Sequence, residues 1–151
     1  MDDYILASTA QNLHEHREVF TTTRVKAKGK HFERSDGYID KRLWAYPVLV
    51  SLAHDITGFD IKNSVRINVL LYTFFLLILY VYANRLYGLG AAVVSIFLAS
   101  SLPLLGINGL GGGMEMLNLL LLLILVLLAG EYLRQPSRSL EGALCMVAVL
   151  L

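Results

Sequence analysis

Apolar residues in this chain are gathered into runs long enough to enter a bilayer, and this limits the fold more than any single motif. Residues 65–83, 91–107 and 114–133 form three such runs, the last built around the leucines at 119–123. Helices of that length, at about 1.5 Å per residue, approach the ~30 Å hydrocarbon core. A fourth run, 140–151, is too short as it stands to cross. The apolar share of 56% exceeds the roughly 45–50% of soluble domains. Charge is segregated the other way: of 13 Lys and Arg, ten lie in residues 1–66, as do nine of the 12 Asp and Glu. The expected fold class is all-α and integral to a membrane. A polar segment, 1–63, precedes transmembrane helices in 64–151.

The polar segment carries its own pattern. Residues 2–16 suit a short amphipathic helix with Ile5, Leu6, Ala10 and Leu13 on one side. Residues 21–36 have no helical period; Lys26, Lys28 and Lys30 alternate, which predicts a short solvated strand or loop. Pro47 suits the first turn of a second amphipathic helix. Val48, Leu49, Leu52 and Ile56 would form its apolar side, and Gly58 its stop. Asn63-Ser64 offers an N-cap to the first long apolar helix. Asn84 to Gly88 and Asn108 to Gly113 predict turns, and Pro103 a bend in the second run.

Basic residues orient the helices. Arg85 follows the first run; Arg134 and Arg138 follow the third. With three crossings these two turns share a side, and the positive-inside rule makes that side cytoplasmic. Residues 1–63 and the glycine-rich turn at 106–113 then lie outside. The bases of 1–66 pull the other way, but that segment is long and its acids nearly balance them.

Several chemistries are excluded. A net charge of +1 gives no electrostatic basis for nucleic-acid binding. The single Cys145 rules out an internal disulfide and a cysteine-based zinc site. His14, His16, His31 and His54 form no ligand set and suit the surface, with His54-Asp55 as a helix-end feature. Gly111 to Gly113 lacks the Lys-Ser/Thr of a phosphate-binding loop.

The remaining charged positions are few. Asp2 and Asp3 are adjacent and diverge by about 100° on a helix, so they suit a helix start as well as a site. Glu115 opens a membrane helix after three glycines. An acid there is either a helix cap or a functional group, because burial near lipid is costly without a task or partner. Lys41 and Arg42, before the second amphipathic helix, and Arg66, at the start of a membrane helix, suit a lipid phosphate or simple snorkelling at the headgroups.

Taken in order, Asp2-Asp3-Tyr4, Gly37 to Leu43, Pro47 to Leu52, Thr57-Gly58, Asn63 to Arg66, Arg85 to Gly88 and Gly113 to Leu117 form a pattern. That pattern resembles the GT-C-type glycosyltransferases, in particular the bacterial branch described as family-39-like or dolichyl-phosphate-mannose–protein mannosyltransferase-like. The resemblance implies a GT-C-like multi-spanning fold in a bacterial inner membrane, with residues 1–63 as the first extracytoplasmic loop. It implies a polyprenyl-phosphate-linked sugar donor, a glycan, lipid or protein acceptor, and transfer with inversion. Asp2 matches the catalytic carboxylate, and Asp3 stands where Glu is common. Glu115 matches a later acid. Lys41 matches the lysine that approaches the donor phosphate, although Arg42 replaces a proline usual there; Arg66 would assist. Some relatives hold a divalent ion, Mg or Mn, with these acids. The family also has a helix before the acids and many helices after the last one here. The chain, which begins on the acids and stops within 144–151, is therefore expected to be a fragment that is inactive alone. Two other readings stay open: a transporter fragment using the glycine-rich turn and Glu115, or a membrane assembly protein whose acids are helix caps.

Overall fold

The computed structural model describes residues 2–17, 21–28, 31–38, 45–111 and 113–151, with the side chains of 8–17, 45–111 and 113–151 among them. The chain divides into two compact units, Met1–Ile67 and Asn68–Leu151. The expected boundary, 63/64, falls one helical turn earlier. The difference has a local cause: the first turn of the long apolar helix is hydrogen-bonded back onto the element before it.

In the first unit, α1 (Asp2–His16) is followed by β1 (Thr21–Lys28), β2 (His31–Tyr38) and α2 (Ala45–Thr57). The strands pair antiparallel, Lys28 opposite His31 and Thr21 opposite Tyr38, with register shifts around Thr22 to Val25. The helical class expected for the chain holds, with this hairpin as an addition to it. The alternating stretch that suggested a strand or loop is one arm of a hairpin, and β-branched Thr21 to Thr23 begin it.

α2 turns a different face inward from the one expected. Tyr46, Pro47, Val50, Ser51 and His54 are buried, a set at helical spacing. Leu52 and Ile56 are 50% and 84% exposed. The buried stripe faces α1, where Thr9, Ala10 and Asn12 are also buried. Beside that stripe, Asp55 of α2 is bonded to His14 of α1 and to Arg17, and His54 within it is bonded to Asn63, as a buried polar group requires. Gly58 ends α2 as expected: its φ is +85° and its N–H donates to the His54 carbonyl at 2.9 Å, a left-handed stop that favours glycine.

α3 (Asn63–Tyr87) opens in the first unit and continues into the second, joined there by α4 (Leu89–Ser101), α5 (Pro103–Leu110), α6 (Glu115–Arg134) and α7 (Arg138–Leu150). Two helices are long and apolar enough to cross a membrane, Lys62–Tyr87 and Glu115–Arg134. This marks the chain as a membrane protein. On α3, Leu70, Phe74, Leu77 and Val81 recur at helical spacing and each leaves about half its surface open, a continuous apolar stripe that suits lipid.

The expected second helix is two. Leu102 is extended (φ −78°, ψ 114°), and α5 leaves α4 at 71°. Pro103 sits at the first position of α5. Its ring disfavours helical backbone at Leu102 and it has no N–H to continue α4. The turn expected at Asn84 to Gly88 shrinks to Gly88, whose φ is +83°, because α3 runs on through Tyr87. Ser137 caps α7 by accepting the Leu140 N–H at 3.3 Å.

Within the second unit, two ties fix how α3 and α6 run. Near the start of α3, Asn68 Nδ2 donates to the carbonyl of Gly113, two residues before α6, at 2.8 Å. Near its end, Arg85 Nη1 meets Glu131 Oε1 at 3.3 Å. From 68 to 85 a helix rises ~26 Å, and from 115, where α6 begins, to 131 ~24 Å. The two helices therefore run parallel with matched height. The chain between them returns from one end of the pair to the other through α4 and α5.

Candidate functional site

The end of the second unit where α6 begins gathers its most distinctive polar groups. Asn68 is 0% exposed. Its Nδ2 faces three carbonyls, those of Asn108 (3.4 Å), Gly111 (2.7 Å) and Gly113 (2.8 Å). Its Oδ1 has no partner among the described residues. The amide is thus held for its donors, which face one carbonyl in the last turn of α5 and two in the irregular backbone between α5 and α6. One turn on, Tyr72 packs against Gly109. A Cβ at Gly109 would lie 3.0 Å from Tyr72 Cγ, so any other residue here would press the ring by a few tenths of an ångström.

Glu115 is the first residue of α6 and is exposed. Its carboxylate makes no hydrogen bond or ion pair among the described residues, and Met114 before it provides no side-chain cap. The negative charge suits the positive end of the helix dipole. A free carboxylate so placed can accept a proton or bind a cation.

Asp2 and Asp3 are the first residues of α1, and their side chains lie outside the described residues. Lys41 and Arg42 lie outside them entirely. No group of three or more His, Cys, Asp or Glu able to hold a metal occurs among the described residues. The divalent site that the resemblance implied would rest on Asp2, Asp3 and Glu115, of which only Glu115 has a described side chain.

Arg66 is described. Its Nη1 donates to Asn63 Oδ1 at 2.8 Å, and its Nη2 pairs with Asp60 Oδ2 at 3.2 Å. The side chain remains 58% exposed, so its assigned approach to a phosphate would share the guanidinium with Asp60.

Sequence reasoning missed the knot to which Arg66 belongs. Asn63, expected as an N-cap, is 1% exposed and turns its side chain back to α2. Asn63 Nδ2 lies 2.9 Å from His54 Nδ1, 3.0 Å from Thr57 Oγ1 and 3.0 Å from the Gly58 carbonyl. The turn into α3 is shaped instead by Asp60, whose Oδ1 accepts the Lys62 N–H at 2.9 Å. His54 is not a surface histidine: it is 3% exposed. Its Nδ1 must accept from the Asn63 amide, which leaves the neutral ring's proton on Nε2. Burial holds its pKa below 6.5, and neighbouring His14 adds to the effect against the opposing Gly58 carbonyl, Asp60 and Asp55. Asp55 is held below 3.8, first by Arg17 (2.9 Å) and then by His14. The missed signal was the polar series Asn12, Ser51, His54 and Asn63, which no apolar period explains.

Fold and site together define a helical membrane protein with a polar N-terminal unit. Comparison with protein families, curated proteins and solved structures finds no match to this chain.

Proposed function

We propose that the chain belongs to a multi-spanning glycosyltransferase of the GT-C type, which moves a sugar from a polyprenyl phosphate to an acceptor hydroxyl on the extracytoplasmic face of a bacterial inner membrane. One observation carries the reading: Asn68, near the start of α3, is tied to Gly113, next to the start of α6. When α3 and α6 both cross, α4 and α5 make the return crossing between them. Arg85, Arg134 and Arg138 then share one face, which the positive-inside rule makes cytoplasmic. Glu115 and the chain that leads into α3 belong to the other face. Free Glu115 at that face suits a group with a task.

In this reading Asp2 takes the proton from the acceptor hydroxyl as its oxygen attacks the anomeric carbon. The bond from that carbon to the phosphate oxygen breaks, and polyprenyl phosphate leaves with the electron pair. Lys41, Arg42 and Arg66 screen its charge. Asp3 and Glu115 are the further acids that the resemblance assigns to catalysis.

A second reading, a transporter, is favoured by the broken α4–α5 pair, since broken helices line substrate paths in transporters. The test uses the protein expressed from its complete reading frame. Asp2→Asn should lower transfer from a polyprenyl-phosphate sugar by about 10²–10⁴, with Glu115→Gln intermediate and insertion unchanged. Wild-type rates in both variants, or solute flux in proteoliposomes without transfer, would favour transport instead.

A further inference from the structure

We infer that Asn68 is a positioning residue for Glu115; the inference deepens the glycosyltransferase reading and rests on it. The backbone from Leu110 to Glu115 leaves one helix and enters another. The carbonyls at the end of α5 and in the connection up to Gly113 therefore lack the regular i to i+4 partners of helical residues. Asn68 Nδ2, with two N–H groups, faces the carbonyl of Asn108 in the last turn of α5 and those of Gly111 and Gly113 in the connection, and the last, Gly113, lies two residues before Glu115. The side chain is fully buried, so water does not compete for these bonds.

Two further features show that the connection is held and not merely touched. Gly109 lies against the Tyr72 ring so closely that an added Cβ would meet it at 3.0 Å. The Gly111 N–H closes onto the Ile107 carbonyl at 2.8 Å, which ends α5 in register. Asn68 and Tyr72 are one helical turn apart and present one face of α3. That face grips the end of α5 and the start of α6 together. Glu115 itself has no partner among the described residues to fix it. Its position is inherited from the backbone that Asn68 holds.

The test combines hydrogen exchange with a double-mutant cycle in the protein from its complete reading frame, reconstituted in proteoliposomes. Asn68→Leu keeps the size and removes the donors. Amides 111–118 should then exchange about ten- to a hundredfold faster, as expected for buried carbonyls stripped of a donor. Transfer should lose about ten- to a hundredfold in kcat with little change in donor KM, the signature of a displaced group. In a Glu115→Gln background, Asn68→Leu should cost almost nothing more. Gly109→Ala, which displaces the connection without touching Asn68, should give the same non-additive pattern and serves if Asn68→Leu does not fold. Unchanged exchange at 111–118 would show that Asn68 does not hold the connection. Faster exchange with fully additive kinetics would show that it holds the connection without positioning Glu115. Absence of transfer by the wild-type protein would remove the glycosyltransferase reading, and with it any catalytic role for Glu115. The exchange arm would still decide whether Asn68 acts as a clamp.

Discussion

Asn63→Leu should loosen the corner between α2 and α3 and, at the same time, flatten its response to acid. The amide of Asn63 serves three acceptors, His54 Nδ1, Thr57 Oγ1 and the Gly58 carbonyl, and receives Arg66 Nη1. Leucine is close in size and makes none of these bonds. A net hydrogen bond contributes about 0.5–1.5 kcal/mol, and a buried group left unpaired costs about 1–3 kcal/mol. Since the amide has two N–H groups for three acceptors, the loss should total about 2–4 kcal/mol, a roughly 30- to 900-fold rise in local opening. The acid response follows from His54. Its pKa is lowered in the folded state, so its contribution is fully present above 6.5 and is lost as pH falls through the lowered value. Protonation puts an N–H at Nδ1 against the donating Asn63 amide. Asp55, held below 3.8, keeps its contribution until pH falls through a far more acid range. Between pH 7.5 and 5 the wild-type corner should therefore loosen through His54. Asn63→Leu removes the opposed donor and should loosen less over the same interval. Amide exchange of residues 54–67 in detergent at both pH values reads both effects. Equal opening of wild type and variant at pH 7.5, or equal pH slopes, would refute the account.

Gly109→Ala should destabilise the second unit by about 1–3 kcal/mol, because its Cβ meets the Tyr72 ring at 3.0 Å; Tyr72→Ala should relieve much of that penalty, as thermal unfolding in detergent can show. Reversing Glu131 alone, Glu131→Arg, should destabilise, since it sets two guanidinium groups together at the end of α3; adding Arg85→Glu should recover part of the loss. A double variant no better than the single one would count against the parallel arrangement of α3 and α6. For topology, single cysteines at Ser35 and Gln135 in a Cys145→Ser background should label differently in intact cells, Ser35 with an impermeant thiol reagent and Gln135 only after lysis. The reverse pattern would invert the proposed orientation.

The features legible in the sequence are those set by composition over a helical length. α3 and α6 lie close to where the apolar runs 65–83 and 114–133 put them, because a long apolar run has few alternatives. Gly58 and Pro103 were legible for the same kind of reason: each forbids or favours one backbone conformation at its own position. What escaped depends on partners distant in the chain. Asn68 bonds to carbonyls 40 to 45 residues away, and nothing within a turn of it announces that. The buried face of α2 was misjudged because apolarity alone favours Leu52 and Ile56, whereas the face turned inward carries Ser51 and His54, the latter bonded to Asn63. The hairpin lacked a strong turn signal, and its alternation of bases was too short to exclude a loop. Of the candidate site, Glu115 was placed correctly at a helix start, while the residue that holds its backbone was not foreseen.

The matched height of α3 and α6 has a consequence for the lipid around them. The ties at Asn68 and Arg85 stand ~26 Å apart along one helix, and the other rises ~24 Å from its start to Glu131, close to the thickness of a thin bilayer's hydrocarbon region. A single helix meets a change in thickness by tilting, and two loosely packed helices meet it by sliding past each other. Here sliding would strain the tie at each end, which favours tilting of the two helices together. Thickening or thinning the bilayer would then rotate the α5–α6 connection and Glu115 with the helices, making membrane thickness a variable that acts on the geometry of that end.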